Sequence, residues 1–303
     1  MSSRVSLRVP ATSANLGCLF DSAALALSLY LEIHVTPRQD GAVTVQYRGA
    51  TPERVPTNEK NLIARIIWDT LQSWGKPSGF DLEIENQIPI GVGLGSSAAA
   101  IVGSLAVCHR LADTALFDEE IVSLATRLEG HPDNIAAAWH GGFTVSVQEG
   151  DKVRAYSCPF PEGLELVVVV PDYQLPTEEA RAVLPKQYSR ADAIHNLQRA
   201  AATAAQFFSG RSDFHPSFFD DRWHQRHRAP LVPGLTEVLE FTHPHLMGLC
   251  LSGAGPAVLA FVRREAAAVG EAISEVLARK GVEAKPLVLP PDNLGAKGWI
   301  LQA

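Results

Sequence analysis

The sequence predicts an α+β protein built from two units. Three observations carry that prediction: apolar and polar residues alternate with period two in four N-terminal segments, a helical stripe lies among them, and the second half separates apolar strands with helices. Residues 4–9 (RVSLRV), 29–36 (LYLEIHVT), 42–48 (AVTVQYR) and 80–85 (FDLEIE) are the half-buried strands of a mostly antiparallel sheet. Between the last two, residues 59–74 place Leu62, Ile63, Ile66, Ile67, Leu71 and Trp74 on one stripe that ends at Gly75 and Pro77, a helix packed on that sheet. A helix over about 96–111 follows, opening at Ser96 or Ser97. The next runs from Asp118 to Glu129 with Ile121, Val122, Leu124, Ala125 and Leu128 inward, and a short one begins near Asp133. The Pro- and Gly-rich YSCPFPEG (156–163) marks the boundary between units 1–158 and 159–303. Beyond it come a strand near 164–170, helices near 177–184 and 189–208, strands near 246–251 and 257–262, a helix near 264–280 and a last strand near 282–289. This order suggests a sheet covered on one face.

The composition narrows the classes of function. A chain of 303 residues that is 46% hydrophobic can fill a sizeable core. The formal charge of -7, from 33 acidic and 26 basic residues, comes without any Lys/Arg block, so neither nucleic acid nor an anionic membrane is an expected partner. No stretch approaches a membrane span, and the N-terminus alternates like a strand instead of a signal peptide, so cytoplasm is the expected compartment. Cys18, Cys108, Cys158 and Cys250 have no C-x-x-C spacing and read as reduced thiols, with no transition metal expected.

Four segments have the makings of a site. PIGVGLGSSAAA (89–100) lacks the P-loop lysine and has Ser96 where the dinucleotide fingerprint needs a third glycine. Its glycines at 91, 93 and 95 lead into a helix, so backbone N–H groups and the helix dipole converge on an anion, phosphate above all; as a plain turn it would only cap that helix. One of the two serines can cap while the other reaches phosphate or its Mg²⁺. In VPATSANLGCLFDSAALAL (9–27), Thr12, Ser13 and Asn15 sit in a turn; Asp21 either caps a following helix or holds a polar substrate together with Asn15. In LEGHPDN (128–134), Glu129 stands at a helix C-terminus, where the dipole disfavours a carboxylate and a divalent cation would satisfy it; His131 and Asn134 lie beside it. CLSGAGPAVLA (250–260) is either a plain hairpin or a glycine loop over the site. Arg181 and Arg228 are either solvated or bidentate partners for a carboxylate.

Taken together and in order, VPATSANLG-x-x-FD, PIGVGLGSSAAA, LEGHPDN-x-A and LSGAGP resemble the motifs of the homoserine kinase family within the GHMP kinase superfamily. TEEARAVLP and HRAPLVPG extend the resemblance over nearly the whole chain. The resemblance implies an N-terminal domain like domain 2 of ribosomal protein S5, a ferredoxin-like C-terminal domain, and phosphorylation of L-homoserine by ATP between them. It assigns Pro89, Gly91, Val92, Gly93, Leu94, Gly95, Ser96, Ser97 and Ala98 to the ATP phosphates, Asn61 to the neighbourhood of the adenine, and Ser97 and Glu129 to Mg²⁺. Asn15, Asp21, His131, Arg181, Arg228 and Gly253 would bind homoserine, with Thr177 and Asn134 near the transferring phosphate. Asn134 stands near the place of a catalytic Asp in related kinases, which implies a mechanism without a dedicated base. A homodimer is the family expectation. Cys18-Leu19 replace the family's usual Pro-Gly, Ala24 its usual glycine, and Ala257 its usual Ser or Thr. Rival readings are a relative acting on another alcohol and a silent nucleotide binder.

Overall fold

The computed structural model describes residues 4–115 and 117–302. The first unit contains β1 (Val5–Ala14), β2 (Ala23–Arg38), β3 (Val43–Gly49), α1 (Leu62–Ser73), β4 (Gly79–Asn86), α2 (Ser96–Ala112), α3 (Asp118–Glu129), α4 (Asp133–His140), β5 (Phe143–Glu149) and β6 (Lys152–Cys158). The second contains β7 (Glu165–Pro171), α5 (Thr177–Ala182), α6 (Arg190–Phe208), α7 (Gln225–Arg228), α8 (Leu235–Leu239), β8 (Leu246–Leu251), β9 (Val258–Val262), α9 (Ala266–Ala278) and β10 (Ala284–Val288), while the last segment, α10 (Gly295–Gly298) and β11 (Ile300–Gln302), packs back on the first unit, so a single cut at 158/159 does not separate the two.

The first sheet has the order β11-β1-β2-β4-β3, with β5 paired to the start of β2 and β6 to β5. Its pairs are antiparallel except β3 with β4, where α1 makes the crossover that a parallel pair needs. α1 buries Ile63, Ala64, Ile66, Ile67 and Leu71, while Leu62 is half-exposed. α2 is apolar on nearly every side and buried accordingly, the central helix of this unit. In α3, Ile121, Val122 and Ala125 face inward, but Leu128 is exposed.

Two local expectations are corrected here. Thr12 and Ser13 lie in β1, not in a turn, and the element after Asp21 is strand β2, so Asp21 caps no helix. The Ala- and Leu-rich start of β2 is extended because it is buried between β1 and β5. A register shift opposite Pro10 and Ala11 re-aims the end of β1, which carries Thr12 and leads to Asn15.

The second sheet has the order β10-β7-β9-β8. In chain order its parts run β7-α6-β8-β9-α9-β10, the split βαββαβ pattern of a ferredoxin-like domain. Both of its faces are buried, which corrects the expectation of one covered face. Val258, Ala260 and Val262 pack with Val269, Ile273 and Leu277 of α9, while Leu259 and Phe261 join the core of the first unit. The run Leu166–Val169 is buried at every position for this reason. Phe143, Phe160, Phe207, Phe214 and Phe261 pack ring against ring across the junction, Phe143 stacked on Phe207 and Phe160 on Phe261. After β10 the chain returns to the first sheet, where Asp292 accepts from the Tyr30 hydroxyl at 2.9 Å and β11 pairs with β1.

Candidate active site

The glycine loop lies where the two units meet. Gly95, with φ 68°, is the N-cap of α2, so neither serine caps the helix as the sequence suggested. The first intrahelical bond runs from Ala99 N to Gly95 O (2.9 Å), and among the described residues the N–H groups of Ser96, Ser97 and Ala98 have no acceptor. Three aligned donors at the positive end of a helix of 17 residues form an anion site. The loop is stitched to the β8–β9 turn: the Ser252 hydroxyl donates to Gly93 O at 2.7 Å and Ala257 N to Val92 O at 3.1 Å. Gly253 N donates to Ala14 O at 3.0 Å, and Asn15 Nδ2 to Gly253 O at 2.8 Å. The turn therefore closes over the loop instead of standing free as a hairpin.

A cavity of about 280 Å³ opens beneath this junction. It is lined by Asn15, Asp21, Gly91, Gly93, Leu94, Gly95, Ser96, Ser97, Glu129, His131, Asn134, Arg181, Arg228 and Gly253, all singled out from the sequence, and also by Ile90, Asp133 and Ala254. On one wall the Ser97 hydroxyl donates to Glu129 Oε2 at 2.7 Å. Burial raises the Glu129 carboxyl above its ordinary value, against the opposing effects of Ser97 and the nearby His131. Asp133 Oδ1 accepts from Asn134 N at 2.7 Å and lies 3.2 Å from His131 Nδ1, which raises the imidazole's affinity for its proton. The Thr12 hydroxyl donates to Asn134 Oδ1 at 2.7 Å. In the same cavity Arg181 pairs with Asp21 through two bonds of 3.0 and 3.2 Å. Arg228 is 1% exposed, which corrects the reading of a solvated arginine; burial, with Arg181 as a second cation, lowers its guanidinium to about 10.

A second, mainly apolar cavity of about 240 Å³ adjoins Ser96 and Ser97. Asn61 lies at its edge, but its side chain is committed to the fold: Oδ1 accepts from Ile63 N and Ala64 N, and Nδ2 donates to Pro56 O. Pro89 and Val92 face a different space of about 420 Å³ on the far side of the loop. Ala98 is buried in α2, and the side chain of Thr177, the first residue of α5, lies outside the described residues.

Residues 61–142 match the model of the GHMP kinases N terminal domain, and residues 196–279 that of the GHMP kinases C terminal domain. The sequence is 40% identical to a homoserine kinase of Solibacter usitatus over 91% of this chain and 90% of that one. It is 39% identical to a homoserine kinase of Deinococcus radiodurans, covering 95% of each. The chain belongs to the GHMP kinase family. A solved homoserine kinase from Cytophaga hutchinsonii, 23% identical, matches the fold of this kinase with a TM-score of 0.82 over 97% of each chain. As a GHMP kinase it uses ATP to phosphorylate an alcohol.

The Ser97–Glu129 pair suits Mg²⁺, which takes one or two protein oxygens and completes its shell with phosphate and water. Glu129 is a partly desolvated carboxylate with no ion-pair partner among the described residues, and a cation would compensate it. No cluster of three or more His, Cys, Asp or Glu side chains suited to a metal occurs among the described residues. Sequence reasoning missed Ile90, Asp133 and Ala254 in the first cavity and Tyr47, Val55, Pro56, Leu62 and Asn86 in the second. Asp133 stood inside a motif already singled out; the apolar group comes from three separate segments and carries no local signal. Of the departures from the family pattern, Cys18 is buried with its thiol near Asp220 O (3.2 Å), Ala24 packs on Ala14 and Ala137, and Ala257 donates to the glycine loop. No helix among the described residues is long and apolar enough to cross a membrane.

Proposed function

We propose that this chain is a homoserine kinase, transferring the γ-phosphoryl group of ATP to the hydroxyl of L-homoserine to give O-phospho-L-homoserine in threonine biosynthesis. The observation that carries the reading is one cavity lined by an anion-binding helix end, the Ser97–Glu129 pair, the Arg181–Asp21 ion pair and Arg228. A zwitterion exchanges into such a pair without loss of charge balance. The substrate carboxylate takes Arg181 and Arg228, and its ammonium takes Asp21. Asn15, His131 and Gly253 complete the substrate wall in this reading.

The N–H groups at Ser96, Ser97 and Ala98, with the loop from Pro89, bind the phosphates, and the apolar cavity beside Asn61 takes the adenine. Ser97 and Glu129 would hold Mg²⁺, which would supply charge neutralisation at the transferring phosphate. Asn134 and Thr177 orient that phosphate. Catalysis rests on positioning and charge stabilisation, and the hydroxyl proton passes to the phosphoryl oxygen without a dedicated protein base. A homodimer and a cytoplasmic location belong to the same reading. The direct test follows ADP release from Mg-ATP with homoserine, threonine, serine, shikimate and mevalonate. Homoserine should be the best acceptor, and no homoserine-dependent ADP would sink the proposal.

A further inference from the structure

Arg228 is a buried cation whose hydrogen bonds go to uncharged acceptors: Nε to Ala180 O (3.0 Å), and Nη1 to Gly253 O (3.2 Å) and to His224 Nδ1 (3.2 Å). The imidazole in this set is itself fixed. His224 Nε2 lies 2.8 Å from Gly17 O, and a carbonyl can only accept, so Nε2 carries the hydrogen. Nδ1 then presents its lone pair to the guanidinium, which can only donate. Burial favours the same neutral form.

The ring has no exposure and stacks on Phe20 with centroids 5.2 Å apart. Its backbone N–H donates to Asp221 Oδ2 at 2.8 Å, and Asp221 Oδ1 accepts from Asn196 of α6 at 2.6 Å. One imidazole thus joins the loop after β1 to the helix that bears Arg228. Nη2 of Arg228 keeps no protein acceptor among the described residues, and Arg228 lines the cavity.

We infer that His224 is a positioning residue for the acceptor substrate: its Nε2-protonated imidazole bridges the Gly17 carbonyl to Arg228 Nη1, fixing the guanidinium plane so that the Nη2 edge meets the substrate carboxylate. The inference rests on the homoserine reading above. It makes recognition of the carboxylate depend on a residue that never touches substrate. An arginine held only by Ala180 and Gly253 would keep its charge but could swing about its last torsions, and a directed contact through Nη2 alone tolerates little swing.

The test compares His224→Leu with His224→Gln in the full chain. It measures kcat and KM for homoserine, for Mg-ATP, and for 3-aminopropan-1-ol, which is homoserine without its carboxylate, with thermal melting as the fold control. His224→Leu should raise the homoserine KM at least tenfold while leaving the KM for Mg-ATP and for the amino alcohol within twofold. His224→Gln, whose amide can donate to Gly17 and accept from Arg228, should recover most of the loss. Should the leucine variant fail to fold, His224→Asn, too short to span both partners, takes its place. Equal losses on both alcohols, a loss shared by Mg-ATP, an unchanged homoserine KM, or a glutamine variant no better than leucine would each overturn the positioning role. A wild-type chain that leaves homoserine untouched overturns the substrate reading itself, a result distinct from any of these.

Discussion

Replacing Gly93 by alanine should damage both the fold and nucleotide use, and the structure sets the size of the effect. Gly93 has φ 89°, and a Cβ there would press into the Ser252 carbonyl with the Gly255 N and O each 3.1 Å away. All three obstacles are backbone, so the two loops must separate. The left-handed conformation costs an L-residue about 1–2 kcal/mol. Separation also breaks the Ser252–Gly93 and Ala257–Val92 hydrogen bonds, each contributing about 1 kcal/mol net. The sum is about 3–4 kcal/mol, which at roughly 3 °C per kcal/mol lowers the melting temperature by on the order of 10 °C. Gly91→Ala is the control. Gly91 has φ 79°, but its Cβ would meet only the Arg54 guanidinium, at 3.4 Å, a flexible tip that can move aside. That variant should lose only the conformational part, on the order of 4 °C. Thermal melting of the two variants, with the KM for Mg-ATP measured on each, decides the matter. Equal losses in the two, or a Gly93→Ala chain that melts within a degree of wild type with normal ATP kinetics, would refute the view that this loop is clamped by the β8–β9 turn.

Two further outcomes are expected. Glu129→Gln should abolish Mg²⁺-dependent turnover without unfolding the chain. The folded carboxyl is raised by burial, so its contribution to stability is fully present below the ordinary carboxylate value and is lost as pH rises through the raised one. The glutamine variant should therefore gain on wild type in metal-free melts across that window, and a variant that melts lower at neutral pH contradicts the assignment. Asn61→Ala removes the cap of α1 and the bond to Pro56, costing about 1–2 kcal/mol. It should raise the KM for Mg-ATP with the KM for the alcohol unchanged; the reverse pattern in steady-state kinetics would separate Asn61 from the nucleotide side.

Much of the frame is local and could be read directly. The helices from Ser96 and Asp118, the βαββαβ order of the second unit and the glycine loop follow from side-chain period, caps and turn residues, all properties of near neighbours in sequence. The β5–β6 hairpin carries the same local signal, since FTVSVQE alternates between Gly142 and Gly150. The three residues of β11 are too short to signal and are strand only because β1 offers an edge.

What the sequence could not decide is where distant charges meet. Asp21 and Arg181 stand 160 positions apart and form an ion pair only because the β1–β2 loop and α5 face one another across the two sheets. Arg228 sits in a run of polar residues that reads as surface, and closure of the second sheet on the first unit buries it. His224 has the same history: in sequence it is one more polar residue of DDRWHQRHR, and only the fold gives its ring a carbonyl on one side and a guanidinium on the other. The physical reason is range. Backbone conformation and helix-end electrostatics are fixed within a turn or two of chain, whereas burial and charge pairing depend on which surfaces the packed core brings together.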